Sequence, residues 1–194
     1  MSKLPVSVVV PHKLSRSIFF NNYCLPSIEL NNPNEIIILS GDEHVQIKRN
    51  EGASISNSEF IFFCDDDIIL PIKFFERLLS EIGDNDFAYC DYIAANHPNT
   101  IFKRHTAKPF DIVTLRQQNY ISTMSLVRKS AFPGFDENIE RLQDWDMFLT
   151  MTEMGSTGVY VQNLDFIAFW LDQGITGNDN WHNANEIVRR KHNL

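Results

Sequence analysis

The sequence has no excess of basic residues, no paired-cysteine pattern and no long apolar run. Its 17 Lys and Arg against 25 Asp and Glu give a net charge of -8, which disfavours a nucleic-acid backbone as a partner. No segment approaches the roughly 18 apolar residues of a membrane span, and the first residues lead into a strand pattern rather than a signal peptide. The three cysteines lack metal-ligand spacing, which favours a reduced, cytoplasmic compartment and leaves peripheral contact at the inner membrane face open.

The chain does contain an alternation of strand and helix patterns. With 194 residues and 43% hydrophobic content, it can form one substantial core, so we expect one domain over residues 1–194. The order predicts an α/β fold with a largely parallel sheet flanked by helices. The predicted strands are 6–10, 35–39, 60–63, 121–127, 159–161 and 166–170. The predicted helices are 16–30 with a disturbance at Pro26, 53–57, 71–82, 143–154 and a tail after Asp179, while 92–116 is an irregular excursion with one or two short strands.

Three consecutive aspartates, Asp65, Asp66 and Asp67, directly follow the apolar run 60–64. A second apolar segment, 68–70, comes after them, so the triplet does not belong to a solvated tail. Like charges a few ångströms apart repel, and desolvation at a strand end adds to the cost. The triplet therefore predicts a divalent metal site.

Further polar residues follow the first two predicted strands. Pro11 and His12 come after the strand 6–10, and Asp42 comes after the strand 35–39. On parallel sheets of this kind, ligands gather at the carboxyl ends of the strands. We therefore expect these residues and the aspartate triplet to converge on one crevice.

Several segments, taken in chain order, resemble those of family 2 glycosyltransferases with the GT-A fold. They are the opening strand 6–11, Lys48 to Gly52, the acidic segment 59–67, Asn119 to Ile121, Arg128-Lys129 with 134–137, and Gln143 to Asp146. The similarity extends from the first strand through about Asp172. One such segment would be weak support, but the ordered set is specific.

The resemblance implies a single GT-A domain with a Rossmann-like, mostly parallel mixed sheet flanked by helices. A nucleotide-sugar half would cover about 1–91, and an acceptor and catalytic half about 92–194. The implied reaction is metal-dependent, inverting transfer of a sugar from a UDP-, GDP- or dTDP-linked donor, as in polysaccharide biosynthesis. The acceptor would be a hydroxyl of a glycan, a lipid-linked saccharide or a protein glycan, and the cofactor would be Mn2+ or Mg2+.

The resemblance also assigns roles to single residues. Asp144 matches the family's catalytic base, and Asp146 matches a supporting carboxylate. The residues that match nucleotide-sugar-binding positions are Pro11, His12, Asp42, Arg49, Asn50, Asp65 and Asp66. The residues that match metal ligands are Asp65 and Asp67, with His182 or Asp172 as a late additional ligand. The spacing before Pro71 leaves open whether Asp66 or Asp67 holds the metal.

Simpler interpretations of single residues are also open. Asp144 suits the N-cap of a helix, Asp42 suits a turn, and Asn50 could simply shape a loop. A phosphatase of the haloacid dehalogenase type and a response-regulator receiver fit poorly, since the triplet follows the third strand and continues into Ile68. The alternative function is a non-catalytic GT-A module that binds a nucleotide sugar or glycan, and the presence of Asp144 speaks against it.

Overall fold

The computed structural model describes residues 2–96, 100–171 and 181–194, which contain one eight-stranded mixed sheet. Its strands are β1 Leu4–His12, β2 Pro33–Ser40, β3 Phe60–Phe63, β4 Ile68–Ile69, β5 Phe87–Asn96, β6 Thr100–His105, β7 Leu126–Arg128 and β8 Gly158–Phe169. The order along the sheet is β2-β1-β3-β7-β5-β8-β4, with β6 paired to β5.

The sheet is parallel where the polar strand ends meet. β1 pairs in parallel with β2 and β3, and β5 pairs in parallel with β8. β7, β4 and β6 run antiparallel to their neighbours, so five of the eight strands share one direction. This confirms the predicted α/β class with a mostly parallel mixed sheet, and it brings the carboxyl ends of β1, β2 and β3 to one edge.

Helices cover both faces of the sheet. The α-helices are α1 Ser17–Phe19, α2 Leu25–Glu29, α3 Val45–Ile55, α4 Phe74–Ile82, α5 Ile112–Gln117, α6 Gln143–Glu153 and α7 Trp181–Lys191. On one face, Phe74 and Phe75 of α4 pack edge-on against Phe62 of β3. On the other, Phe148 of α6 packs against Phe87 of β5. No helix in the described ranges is long and apolar enough to cross a membrane.

The helix predicted over 16–30 is present, and its hydrogen-bonding pattern changes before Pro26. A 3-10 turn at Leu14–Arg16 and α1 lead into a π-helical turn at Phe20–Cys24, and α2 continues from it. In the π turn, the N–H of residue 25 bonds to the carbonyl of residue 20. Because Pro26 has no N–H and its ring crowds the preceding turn, a wider turn accommodates it. The predicted disturbance is confirmed.

The predicted short helix 53–57 is wrong in its bounds. α3 begins at Val45 and ends at Ile55, so Arg49 and Asn50 lie on a helix rather than in the loop before one. Gly52 lies within α3 and does not end the helix. A Cβ added to Gly52 would overlap the Val9 side chain of β1. The glycine lets α3 approach β1 closely, and this places Arg49 beside the strand ends.

Other boundaries differ where tertiary pairing overrides local pattern. β8 is one strand instead of the predicted 159–161 and 166–170, because it pairs with β5 on both sides of one register shift. β7 keeps only the end of the predicted strand 121–127. The irregular excursion 92–116 contains the end of β5, all of β6 and α5. The turn predicted at 97–99 lies outside the described residues. α6 and α7 confirm the helices predicted at 143–154 and in the tail.

Gly52→Ala is expected to lower the free energy of unfolding by about 1–3 kcal/mol, because overpacking forces α3 and β1 apart. Ser54→Ala is the matched control, since Ser54 is exposed on the same helix, and it should change stability by less than about 0.5 kcal/mol. Urea denaturation measures both variants. Equal midpoints would contradict the close approach of helix and strand.

Candidate active site

Asp66 is the buried centre of a polar cluster where β1 and β3 end. Its carboxylate contacts His12 Nδ1 at 3.0 Å and accepts hydrogen bonds from the Lys13 backbone N–H at 2.7 Å and Arg16 Nη1 at 3.0 Å. Asp66 is only 2% exposed, so these partners must compensate its charge within the protein. β1 and β3 are parallel neighbours, which is why the segment after His12 meets the triplet.

Asp65 and Asp67 are the more accessible carboxylates of the triplet. Arg49 Nη2 donates to Asp65 Oδ1 at 2.6 Å, and Arg16 Nη1 donates to Asp67 Oδ2 at 2.7 Å. Burial and the neighbouring charge of Asp65 raise the pKa of Asp67 to about 7, against the opposing effect of Arg16. Asp67 is therefore protonated more readily than an ordinary carboxylate, even with Arg16 beside it.

Arg49 connects the triplet to the start of α6. Its Nη1 donates to Gln143 Oε1 at 2.9 Å, and its guanidinium lies 5.4 Å from the ring centre of Phe135. The side chain is buried, and its Nε has no hydrogen-bond partner among the described residues. A guanidinium beside the strand ends is suited to contact an anionic ligand.

Asp144 lies in the first turn of α6, which begins one residue earlier, so it is not the N-cap of this helix. Its carboxylate accepts hydrogen bonds from the Trp145 backbone N–H at 2.9 Å and from the Asn119 side chain at 3.0 Å. Burial raises the pKa of Asp144, although these two donors and the charge of Arg49 oppose the shift. The result is a fixed carboxylate that accepts a proton more readily than an ordinary one.

A cavity of about 360 Å³ opens beside Asp144. Its walls come from β5, β6 and the segments after β6 and α5, and they include Tyr92, His105 and Asn119. The Tyr92 ring stacks on His105 with 4.2 Å between centroids. Burial and the charge of Asp144 raise the pKa of Tyr92 to about 12. The cavity has the size and polar groups of a small-molecule site.

Asp146, expected beside Asp144, contacts a different part of the molecule. Residues two apart on a helix do not share a face, and the buried Asp146 accepts a hydrogen bond from Lys191 Nζ at 3.0 Å and contacts His192 Nε2 at 2.8 Å. His192 also contacts Glu153 at 3.0 Å. Asp146 thus holds the end of α7 against α6, and the structure does not bring it to the cavity.

The other nucleotide-binding candidates are Pro11, Asp42 and Asn50. Pro11 is near the end of β1, and Asp42 is exposed in the loop after β2. In that loop, Lys48 Nζ donates a hydrogen bond to the Gly41 carbonyl at 2.6 Å. Asn50 does not contact the triplet. Its side chain donates to the Phe135 carbonyl at 2.9 Å and accepts from the Phe135 N–H at 2.8 Å. Asn50 therefore fixes the ring over which Arg49 lies.

The late metal ligand is not placed with the triplet. His182 is exposed in the first turn of α7, and Asp172 lies outside the described residues. Within the described part of the chain, no group of three or more His, Cys, Asp or Glu side chains is arranged to hold a metal ion. Asp65 and Asp67 contact arginines instead.

Arg16 is the principal site residue that the sequence pattern did not single out. It contacts both Asp66 and Asp67 through one nitrogen. A signal was present, because Arg16 lies in the segment after β1, at the sheet edge where ligands gather. Asn119 was visible only as part of a matching segment, and its contact with Asp144 arises from tertiary structure.

Comparison with known proteins identifies the family. The model described as Glycosyl transferase family 2 matches residues 26–136, more than half of the chain. The matched range includes Arg49 and the triplet, and it ends before Asp144. No curated protein matches the chain by sequence. The chain belongs to glycosyl transferase family 2.

Solved structures of S. aureus TarS share the fold. TarS 1–349 gives a TM-score of 0.69 at 12% identity, covering 97% of this chain and 65% of that one. Its complex with UDP-GlcNAc gives 0.73 at 10% identity, covering 97% and 66%. Its complex with UDP gives 0.67 at 12% identity, covering 86% and 61%. The chain spans less than two thirds of these TarS chains, and the likeness confirms the predicted GT-A fold.

Asp146→Asn is expected to lower the free energy of unfolding by about 3 kcal/mol, because it removes the buried carboxylate that holds the end of α7. Asp144→Asn, two residues earlier on the same helix, is the matched control and should cost less than about 1 kcal/mol. Chemical denaturation gives both values, and amide hydrogen exchange in α7 should accelerate only in Asp146→Asn. Similar costs for the two variants would contradict the docking role of Asp146.

Proposed function

We propose that this chain is the catalytic domain of an inverting glycosyltransferase that moves a sugar from a nucleoside-diphosphate sugar to a hydroxyl acceptor. The observation that carries the proposal is the position of Arg49, which connects the acidic triplet to the start of α6, where Asp144 lies. Transfer has two tasks, stabilising the leaving diphosphate and deprotonating the acceptor. The triplet with its arginines suits the first task, and Asp144 suits the second.

The donor base that we propose is uracil. TarS structures contain UDP and UDP-GlcNAc, and they share this fold. His12 ends β1 and Asp42 follows the adjacent parallel strand β2, at the edge where nucleotides bind in such sheets. Competition by UDP, GDP and dTDP against a fluorescent nucleotide sugar ranks the bases. Stronger competition by GDP or dTDP than by UDP would contradict the assignment.

Asp65 and Asp67 would hold the divalent cation, Mn2+ or Mg2+. Both offer hard oxygen ligands, and the three carboxylates of the triplet outnumber the two guanidinium groups that contact them. Asp66 is less suited, because it is buried among other partners. When bound, the cation supplies positive charge that stabilises the leaving diphosphate. Arg16 and Arg49 would then contact phosphate oxygens of the donor.

Asp144 would accept the proton of the acceptor hydroxyl as that oxygen attacks the anomeric carbon. Asn119 and the Trp145 N–H orient the carboxylate, and its raised pKa favours proton transfer. Attack from the face opposite the diphosphate inverts the anomeric centre in one displacement. We assign no part in this step to Asp146, because it contacts Lys191 and His192 instead.

A non-catalytic GT-A module is the second candidate, and one observation favours it. Arg16 and Arg49 already contact Asp67 and Asp65, so the triplet is partly neutralised without a metal ion. Such a module would bind a nucleotide sugar or glycan and leave it intact. Release of UDP from a nucleotide sugar distinguishes the enzyme from the module.

Asp144→Asn is expected to lower the rate of transfer by about 10²–10⁴-fold, because the amide cannot accept the proton. Donor affinity, measured by calorimetry, should change little. The rate of the unsubstituted protein should fall as pH drops through the raised pKa of Asp144, since only the ionised carboxylate is a base. Asp84→Asn, exposed after α4, is the control. Full activity in Asp144→Asn would remove the base assignment.

Removal of divalent ions with EDTA is expected to weaken UDP-GlcNAc binding at least about tenfold, because the diphosphate loses its counter-charge. In Asp67→Asn, the affinity for UDP-GlcNAc should be the same in Mn2+ and in EDTA, whereas Asp84→Asn should preserve the difference. Titration calorimetry measures these affinities. Equal donor binding with and without metal would show that the cation role is wrong.

A further inference from the structure

The cavity beside Asp144 has a charge opposite to that of the chain as a whole. The chain carries a net charge of -8, yet the walls include four basic side chains, Lys103, Arg104, His105 and Lys108, and one carboxylate, Asp144. An acidic protein repels anions at long range. Cations gathered at one cavity reverse that preference locally.

Two of the four basic groups are accounted for by the fold. Arg104 forms ion pairs with carboxylates on β5 and β8, at 3.3 and 2.5 Å. Burial and the charge of Lys103 lower the pKa of His105, so its ring adds little positive charge near neutral pH. Lys103 and Lys108 are left. Both are exposed, and within the described ranges no carboxylate forms an ion pair with either ammonium group.

The cavity is distinct from the part of the site assigned to the donor phosphates. Among the described residues that form its walls, none belongs to the triplet, and neither Arg16 nor Arg49 is present. The two regions are connected at the start of α6, through Gln143 and Asp144. Since the donor phosphates are assigned to the triplet and its arginines, Lys103 and Lys108 are available to an anionic group of the second substrate.

From this geometry we infer that the acceptor carries an anionic group, a phosphate or a carboxylate, that Lys103 and Lys108 bind beside Asp144. The inference rests on the proposed function, since the cavity holds an acceptor only if Asp144 is the base. The acceptor oxygen forms its bond to the anomeric carbon and gives its proton to Asp144. The bond from sugar to phosphate breaks, and the nucleoside diphosphate leaves with the electron pair. The cavity of about 360 Å³ is suited to one sugar or polyol unit with its charged group.

Matched pairs of fragments test the inference in NMR titrations of the folded chain. The pairs are glycerol 1-phosphate against glycerol, and glucuronate against glucose, so that the two pairs distinguish a phosphate from a carboxylate. The anionic member of at least one pair should bind about tenfold or more tightly than its neutral partner, with shifts at the amides of Asn119 and Lys108. The double variant Lys103→Gln and Lys108→Gln should lose this preference. Lys3→Gln is the control variant and should keep the preference, since Lys3 precedes β1 at the end of the strand away from the triplet.

Several outcomes would overturn the inference. Equal binding of neutral and anionic fragments would do so, as would a preference that survives the double substitution. Displacement of the fragment by UDP would also do so, because the cavity would then be a donor-phosphate site. Fragment binding requires no turnover, so anion binding without cleavage of any nucleotide sugar would overturn the proposed function and leave the anion site in place. In an active transferase, the double variant should raise the KM of the acceptor and not that of the donor.

Discussion

The arrangement of the site depends on one buried guanidinium. Arg49 donates to Asp65 at the end of β3 and to Gln143 at the start of α6, so it fixes two segments that are distant in sequence. Leaving a buried charge without its partner costs about 3–5 kcal/mol, which makes this position restrictive. Gly52 allows α3 to lie close enough to β1, and Asn50 holds the ring of Phe135 over which the guanidinium lies.

The charged groups of the site form two separate regions, one on each side of Arg49. On one side, the triplet carries more negative charge than Arg16 and Arg49 offset, and a cation with a diphosphate would complete it. On the other, Asp144 lies beside a cavity lined by Lys103 and Lys108, which form no ion pair with a carboxylate of the described ranges, and a second anion would bind there. Separating the two keeps like charges of donor and acceptor apart until the hydroxyl reaches the anomeric carbon.

Much of the fold and the position of the candidate site could be predicted from the sequence, because they depend on local patterns and on the residues at strand ends. The run 60–64 followed by the triplet predicted a site at a strand end, and the proline at 26 predicted a helix disturbance. The role of Gly52 could not be predicted, because its close contact with Val9 exists only in the folded chain and the glycine resembles a helix stop. The separation of Asp144 from Asp146 follows from helical geometry. The partners of Asp146, Lys191 and His192, are supplied by tertiary packing.

The claim that one nucleotide-sugar site joins the triplet to the start of α6 is tested most directly by amide NMR spectra of the folded chain titrated with UDP and Mg2+. We predict the largest shifts at 12–16, Arg49 and 65–67, with smaller shifts at Asp144. Shifts confined to another surface, or no shifts at millimolar UDP, would contradict it.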